Sequence, residues 1–228
     1  MKQQWRIPAV CVTASALLIV YNYGAQPEFF DAHLARRLFL SPVNELYRHL
    51  YSFAATFVVL GLLPATMAGV LWNERASAFG LGFGRRKLAS VAAVLVLFGA
   101  MLPLLAYAST LPAISAGHPL SRLAARHRNA LIVYEVCLFA YIIGSEFFFR
   151  GYLLFGLAGT VGDAAIYIQS LPYVLIHLDR PPMEAVAAVP TSIALGYLAS
   201  RGGSIWYGVI LRWLCAAALD VCVIYHPF

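Results

Sequence analysis

Long apolar segments dominate the pattern along the chain. They are continuous, whereas the strands of a membrane β-barrel alternate apolar and polar positions. About 20 helical residues cross a hydrocarbon layer of about 30 Å. The pattern therefore predicts an all-α, polytopic transmembrane bundle of about seven spans. The predicted spans are Pro8–Tyr23, Tyr51–Trp72, Leu88–Ala108, Ala130–Leu154, Val161–Leu178, Met183–Ser200 and Ile205–Tyr225.

Two connections have a character of their own. Glu28–Leu50 mixes aromatic and aliphatic side chains such as Phe30 with basic ones such as Arg37, which predicts an amphipathic segment at the membrane interface. Gly80–Gly84 precedes a basic cluster that starts at Arg85, which predicts a flexible connection. A phosphate-binding loop is not expected there, because no strand precedes it and no GK[ST] follows.

The spans divide the chain into two regions. Residues 1–129 hold three strongly apolar spans, the interfacial segment and the basic loops. Residues 130–228 hold four spans with shorter connections and more polar positions. We expect any chemistry to lie in the second region.

Composition and charge support a membrane protein. Hydrophobic residues make up 61% and charged residues 11%, which excludes an ordinary soluble domain. The net charge of +6 lies mainly in the connections, which is typical of contact with lipid head groups rather than nucleic acid. The predicted partner is the lipid bilayer. Lys and Arg divide evenly between the two sides of a seven-span bundle, so they predict no orientation.

The fourth predicted span contains ionisable residues, which cost at least about 2.5–3.5 kcal/mol each at mid-membrane. Glu146 and Arg150 are four residues apart and share a helix face. Glu135 lies eleven residues earlier, within about 20° of the same direction. The pattern indicates a carboxylate stripe that ends in a guanidinium. A structural ion pair without chemistry is the alternative.

The fifth and seventh spans contain further polar residues. Gln169, Tyr173 and His177 are spaced by four and share a face. His177 has three open interpretations: a metal ligand, a base or a hydrogen-bonded interfacial residue. Arg212 lies too deep to reach the interface, so we expect it to seek a carboxylate. Asp220 lies near the far end of its span, where it is either a cavity residue or a solvated helix end.

The sequence SEFFFRGYLLFG, the pair Tyr173 and His177, and the Ser-Ile-Trp entry to the last span resemble the CAAX-protease and bacteriocin-processing (CPBP) family of intramembrane proteases. The resemblance implies hydrolysis of a peptide bond in a membrane-associated or lipidated substrate, in a prokaryotic plasma membrane. Glu146 and Arg150 match the second Glu and the Arg of the family's first motif. Tyr173 and His177 match its second motif.

Three positions depart from the family's pattern. Ser145 stands where the family has its first Glu, and Arg212 and Ala216 stand where a His and an Asn are expected. Arg212 stays protonated and binds no metal, so neither a metal nor any other cofactor is expected. The predicted catalytic residues are Glu146 as base through water, His177 as acid or oxyanion donor, and Arg150 and Arg212 as electrostatic support. The predicted substrate-binding residues are Tyr173, Glu135, Gln169 and Asp220.

Three functional hypotheses remain open. The first is an intramembrane endopeptidase with an altered active site. The second is a non-catalytic relative that binds a membrane segment or lipidated peptide, as expected if Arg212 forms a permanent salt bridge with Glu146. The third is a small transporter lined by the same ionisable residues, which the absence of an inverted repeat disfavours.

Overall fold

The computed structural model of the protein describes residues 5–35, 44–84 and 87–225. These residues contain helices, turns and loops but no β-strand. The helices are α1 (Arg6–Gly24), α2 (Pro27–His33), α3 (Asn44–Thr56), α4 (Leu63–Trp72), α5 (Lys87–Ala108), α6 (Pro112–Ser115), α7 (Arg122–Arg126), α8 (Arg128–Glu146), α9 (Gly156–Val161), α10 (Ala164–Leu175), α11 (Pro182–Gly202) and α12 (Trp206–Tyr225). Two π-helical segments, π1 (Phe57–Leu62) and π2 (Phe147–Phe155), join α3 to α4 and α8 to α9.

The predicted all-α membrane bundle is confirmed. Six helical stretches among the described residues are long and apolar enough to cross a membrane. One of them runs unbroken from Arg128 to Val161 through α8, π2 and α9. The segment predicted as the fifth span instead contains the shorter α10, whose 12 residues measure about 18 Å at 1.5 Å per residue.

Contacts between helix ends show how the chain passes through the bundle. At one end, Arg6 Nε donates to Gly156 O at 2.8 Å, and the Arg6 guanidinium pairs with Glu74 at 2.6 Å. At the other end, Tyr51 Oη donates to Gly24 O at 2.6 Å. Helix α11 ends at Gly202, beside the loop that follows Glu74. Helix α10 and the turn after it therefore carry the chain from one end to the other, as a span would.

The glycine-rich loop 80–84, predicted to be a flexible connection, is anchored to the start of α12. Its carbonyl groups accept three hydrogen bonds from the start of α12: Ile205 N to Gly80 O at 3.0 Å, Trp206 Nε1 to Leu81 O at 3.0 Å, and Tyr207 Oη to Phe83 O at 2.7 Å. Gly84 has a φ of +68° and packs against the backbone of Gly202 with no room for a side chain. Arg85 and Arg86 lie outside the described residues.

The predicted interfacial segment is described only in part. Helix α2 forms its first portion, and Arg48 at its far end pairs with Asp31 at 3.2 Å and Glu28 at 3.6 Å. Residues 36–43, with Arg36 and Arg37, lie outside the described residues. Within the described part, ion pairs hold α2 against α3.

A close helix crossing leads into the polar centre of the bundle. A Cβ on Gly144 would lie 2.7 Å from Phe57 Cα, and one on Gly61 would lie 3.1 Å from Gly144 Cα. Small residues at a membrane helix interface let the backbones approach this closely. The crossing fixes α8 against π1 just before Ser145 and Glu146. The π-helical segment π2 begins directly afterwards, and such segments are frequent at functional sites.

Candidate functional site

An ion pair forms the core of the site, at the junction of α8 and π2. Arg150 Nη1 donates to Glu146 Oε1 at 3.0 Å, and both side chains are 0% exposed. Arg150 Nη2 also donates to the carbonyl of Ser192 on α11, at 3.4 Å. The two residues predicted to be neighbours therefore meet, although the helix changes its winding between them. A buried pair of this kind is stable only when further hydrogen bonds satisfy its remaining donors and acceptors.

A second guanidinium reaches the same carboxylate oxygen from α12. Arg212 Nη1 lies 2.9 Å from Glu146 Oε1 and 2.9 Å from Ser145 Oγ, to which it also donates. The Ser145 hydroxyl in turn donates to Ile142 O at 3.1 Å. Arg212 thus bonds both to the predicted base and to the residue in the first Glu position.

The ring of Tyr173 lies beneath both guanidinium groups. Its centroid is 4.4 Å from Arg150 Cζ and 5.7 Å from Arg212 Cζ. Phe149 packs its edge against the same ring, at 5.1 Å between centroids. Aromatic faces attract cations, and more strongly where water is excluded. Tyr173 therefore helps to hold two like charges at one place in the bundle.

His177 lies just after α10, at the edge of this cluster. Its Nδ1 is 2.7 Å from the carbonyl of Tyr173, and a carbonyl only accepts, so Nδ1 carries the hydrogen. In the neutral ring this tautomer leaves a lone pair at Nε2. In that form Nε2 accepts a proton or a hydrogen bond and has no hydrogen to donate to an oxyanion.

Gln169 joins the cluster through the backbone of α11. Its Nε2 donates to Ser192 O at 3.1 Å and to Ile166 O at 2.9 Å. Ser192 O therefore accepts from both Gln169 and Arg150. A Cβ on Gly196 would lie 3.1 Å from Gln169 Nε2, so the small residue keeps α11 close. We call the group of Ser145, Glu146, Arg150, Gln169, Tyr173, His177, Ser192 and Arg212 the inner cluster.

Three buried atoms of the inner cluster have no hydrogen-bond partner among the described residues: Glu146 Oε2, Arg150 Nε and Gln169 Oε1. Glu146 Oε2 faces Gly208 on α12, where a Cβ would lie only 2.7 Å away. An unsatisfied buried polar group costs about 1–3 kcal/mol, so such atoms usually hold water or a ligand. The free carboxylate oxygen is therefore the best-placed acceptor for a water molecule.

Glu135 and Asp220, predicted to bind substrate, lie apart from the inner cluster. Glu135 Oε2 accepts from Trp213 Nε1 at 3.1 Å. Asp220 is 1% exposed, and its Oδ1 lies 3.1 Å from Nδ1 of His118. We call the group of His118, Tyr134, Glu135, Trp213 and Asp220 the outer cluster. Tyr134 belongs to it because its hydroxyl accepts from Leu120 N at 3.3 Å, in the loop that carries His118.

Sequence reasoning missed several of these groups. His118 lies in a polar loop 102 positions before Asp220, and no sequence pattern links the two residues. The Ser192 carbonyl has no side-chain signature either. Ser145 was visible only as a departure from the family's pattern, whereas its hydroxyl is a direct partner of Arg212.

The side chains present do not fit a zinc ion. No group of three or more His, Cys, Asp and Glu among the described residues is arranged to hold a metal. Zinc sites need about three protein ligands. In the inner cluster Glu146 Oε1 is already bonded to two guanidinium groups, and one of them, from Arg212, stands where the family pattern has a His.

Residues 127–218 match a family described as type II CAAX prenyl endopeptidase Rce1-like. The predicted resemblance is confirmed for this segment. The Rce1-like segment covers about two fifths of the chain and includes every member of the inner cluster. No curated protein and no solved structure matches the chain. The protein is thus a membrane protein with a CAAX-protease-like segment, and the polar residues of its inner cluster lie within that segment.

Proposed function

We propose that this integral membrane protein of the prokaryotic plasma membrane is a non-catalytic relative of CAAX-type endopeptidases. Its inner cluster binds a membrane-associated protein or a lipidated peptide in the place of a substrate. One observation carries the proposal: Glu146 Oε1 accepts hydrogen bonds from both Arg150 and Arg212.

The two hydrogen bonds from Arg150 and Arg212 engage the carboxylate that a hydrolase would need as its general base. A general base must take a proton from a water molecule within hydrogen-bond reach. Glu146 Oε1 is engaged by two charge-assisted bonds, which are about twice as strong as neutral ones. Ser145 cannot replace a carboxylate, since its hydroxyl is neutral and already bonded to Arg212 and Ile142. The arrangement favours a structural role for Glu146.

Peptide hydrolysis is the second candidate, and different atoms favour it. Glu146 Oε2 has no partner among the described residues, and the neutral His177 ring has a lone pair at Nε2. A water held by either atom would attack a peptide carbonyl, with Arg212 stabilising the oxyanion. In this mechanism His177 takes a proton from water rather than donating to the oxyanion.

A comparison of protein termini in isolated membranes separates the two candidates. Termini are mapped in cells with the wild-type protein, without it, and with His177→Gln. Gln can still donate to Tyr173 O, and the change strands no charge. His33→Gln is the matched control, because His33 makes the same bond to the carbonyl four residues earlier but is exposed and lies on α2. The binding proposal expects identical termini in all four samples. Termini that require both the protein and His177 would establish hydrolysis instead.

A positive test of binding uses a photo-crosslinking residue at position 216. Ala216 is half-buried and one turn beyond Arg212 on α12. The same residue at Val70, which is 83% exposed, is the control for random contact with membrane proteins. We expect a crosslinked partner at 216 that is absent at 70. Equal labelling at both positions would contradict a binding site in the inner cluster.

A further inference from the structure

The inner cluster carries one positive charge more than its acids balance. Glu146 supplies one negative charge, whereas Arg150 and Arg212 each supply a positive charge. A histidine ring is either neutral or positive, so His177 supplies no negative charge. An unbalanced charge in the interior of a membrane protein is costly, and such charges normally pair with a counter-charge. A negatively charged ligand would therefore neutralise the excess positive charge of the inner cluster.

The other acids of this region do not supply the missing charge. Glu135 bonds to the indole of Trp213, and Asp220 pairs with His118. Neither has a hydrogen bond or ion pair with Arg212 among the described residues. Among the described residues, Glu146 is the one carboxylate that bonds to Arg212, and it is shared with Arg150.

Arg212 is the arginine that such a ligand can reach. Arg150 is 0% exposed, whereas the Arg212 side chain is 17% exposed. Only Nη1 of Arg212 bonds to the protein; Nε and Nη2 make no hydrogen bond to any described residue. These two nitrogens form one edge of the guanidinium fork, which suits two oxygens of a single anionic group. Ala216, one turn further along α12, is half-buried and small.

We infer that Arg212 binds the carboxylate of an apolar ligand through its free edge. A carboxylate is planar, matches the fork and carries the single negative charge that the cluster lacks. The surrounding bundle requires the remainder of the ligand to be apolar. This inference deepens the proposed function: the bound peptide presents its C-terminal carboxylate to Arg212. A fatty acid would offer the same chemistry.

The test measures binding to purified full-length protein in nanodiscs by isothermal titration calorimetry. The first pair of probes is N-dodecanoyl-Leu-Ala-Leu with a free C-terminal carboxylate and the same peptide as its amide. The second pair is dodecanoate and dodecanamide. We expect the peptide acid to bind at least about tenfold more tightly than its amide, which corresponds to about 1.4 kcal/mol.

Arg212→Gln should reduce the ratio of acid to amide affinity to about one. Arg201→Gln should leave it unchanged, since Arg201 is exposed at the end of α11 and lies outside the inner cluster. Because a buried arginine also supports the fold, Ser145→Asp provides a second route. Ser145 Oγ already lies 2.9 Å from Arg212, so an aspartate there supplies the missing charge internally and should abolish the acid preference. Size-exclusion profiles and thermal unfolding confirm that each variant is folded.

The outcomes distinguish failure of the carboxylate inference from failure of the peptide-binding proposal. If acid and amide peptides bind equally well, the carboxylate inference is wrong while peptide binding stands. If only dodecanoate binds with an acid preference that Arg212→Gln removes, the carboxylate inference stands and the peptide proposal fails. An acid preference that survives both Arg212→Gln and Ser145→Asp overturns the role of Arg212. Absence of binding by all four probes overturns both proposals.

Discussion

Helices α8 and α12 contribute to both polar clusters, and the two clusters differ in charge and in access to water. The inner cluster has two guanidinium groups and one carboxylate, and its central ion pair is 0% exposed. The outer cluster has two carboxyl groups, Glu135 and Asp220, and the side chain of His118, which pairs with Asp220, is 26% exposed. The eleven residues from Glu135 to Glu146 correspond to about 16 Å of helix.

The difference shows how position along a helix pair determines the role of an acid. The Glu146 side chain is 0% exposed, and both Arg150 and Arg212 depend on its single carboxylate. Asp220 is also buried, but its partner His118 is 26% exposed, so solvent can reach the histidine side of that pair. We therefore expect Glu146 to be essential for stability and the outer acids to tolerate substitution.

The largest expected effect is that of Glu146→Gln. The change leaves Arg150 and Arg212 close together with no counter-charge and should cost about 3–5 kcal/mol, the range for breaking a buried ion pair. The measurement is the free energy of unfolding in detergent micelles, together with accumulation in the membrane. Glu135→Gln is the matched control and should cost no more than about 1.5 kcal/mol, since it weakens one hydrogen bond. Equal costs would show that the two clusters do not differ as described.

An intermediate effect is expected for Gly208→Ala. The new Cβ would lie 2.7 Å from Glu146 Oε2 and force the carboxylate or α12 to move, at a cost of about 1–3 kcal/mol. Gly99→Ala is the control, because nothing lies within 4 Å of a Cβ there. Its unfolding free energy should change by no more than about 0.5 kcal/mol or increase, since Ala favours helix over Gly. A Gly208→Ala variant as stable as Gly99→Ala would show that Glu146 Oε2 is not held against α12.

The smallest effect is expected for the ion pair of the outer cluster. A double-mutant cycle of Asp220→Asn and His118→Gln should give a coupling energy of about 1 kcal/mol or less, because His118 is partly exposed to solvent. Thermal unfolding of the wild type, both single variants and the double variant supplies the four values. A coupling of 3 kcal/mol or more, on the order found for buried pairs, would place the outer cluster in the same class as the inner one.

The sequence predicted the bundle and the centre of the site because both depend on strong local rules. Continuous apolar runs indicate membrane helices, and a spacing of four residues brings Glu146 and Arg150 together. The depth of Arg212 predicted that it would seek a carboxylate, and Arg212 does bond to Glu146. Each of these predictions depended only on the geometry of a single helix, or on that geometry and the cost of burying a charge.

Contacts that depend on how helices are arranged could not be predicted. Glu135 and Glu146 share a helix face, yet they belong to different clusters, because partners from α12 contact them at different depths. His177 Nδ1 bonds to the carbonyl of Tyr173, four residues earlier. The sequence had left open whether His177 is a metal ligand, a base or a hydrogen-bonded residue. The π-helical winding after Glu146 has no simple sequence signal, and the length of α10 was overestimated because the apolar run continues into a turn.

The fixed loop 80–84 has a mechanical consequence. Its three hydrogen bonds to the start of α12, and the tight contact of Gly84 with Gly202, tie together the chain segments that precede α5 and follow α11. Helices joined rigidly at one end can separate only by pivoting about that end. Lateral entry of a ligand from the bilayer therefore requires the helices to spread at the opposite end, beside His118 and Asp220. We therefore expect the contact between His118 and Asp220 to open before the contacts at the loop 80–84 do.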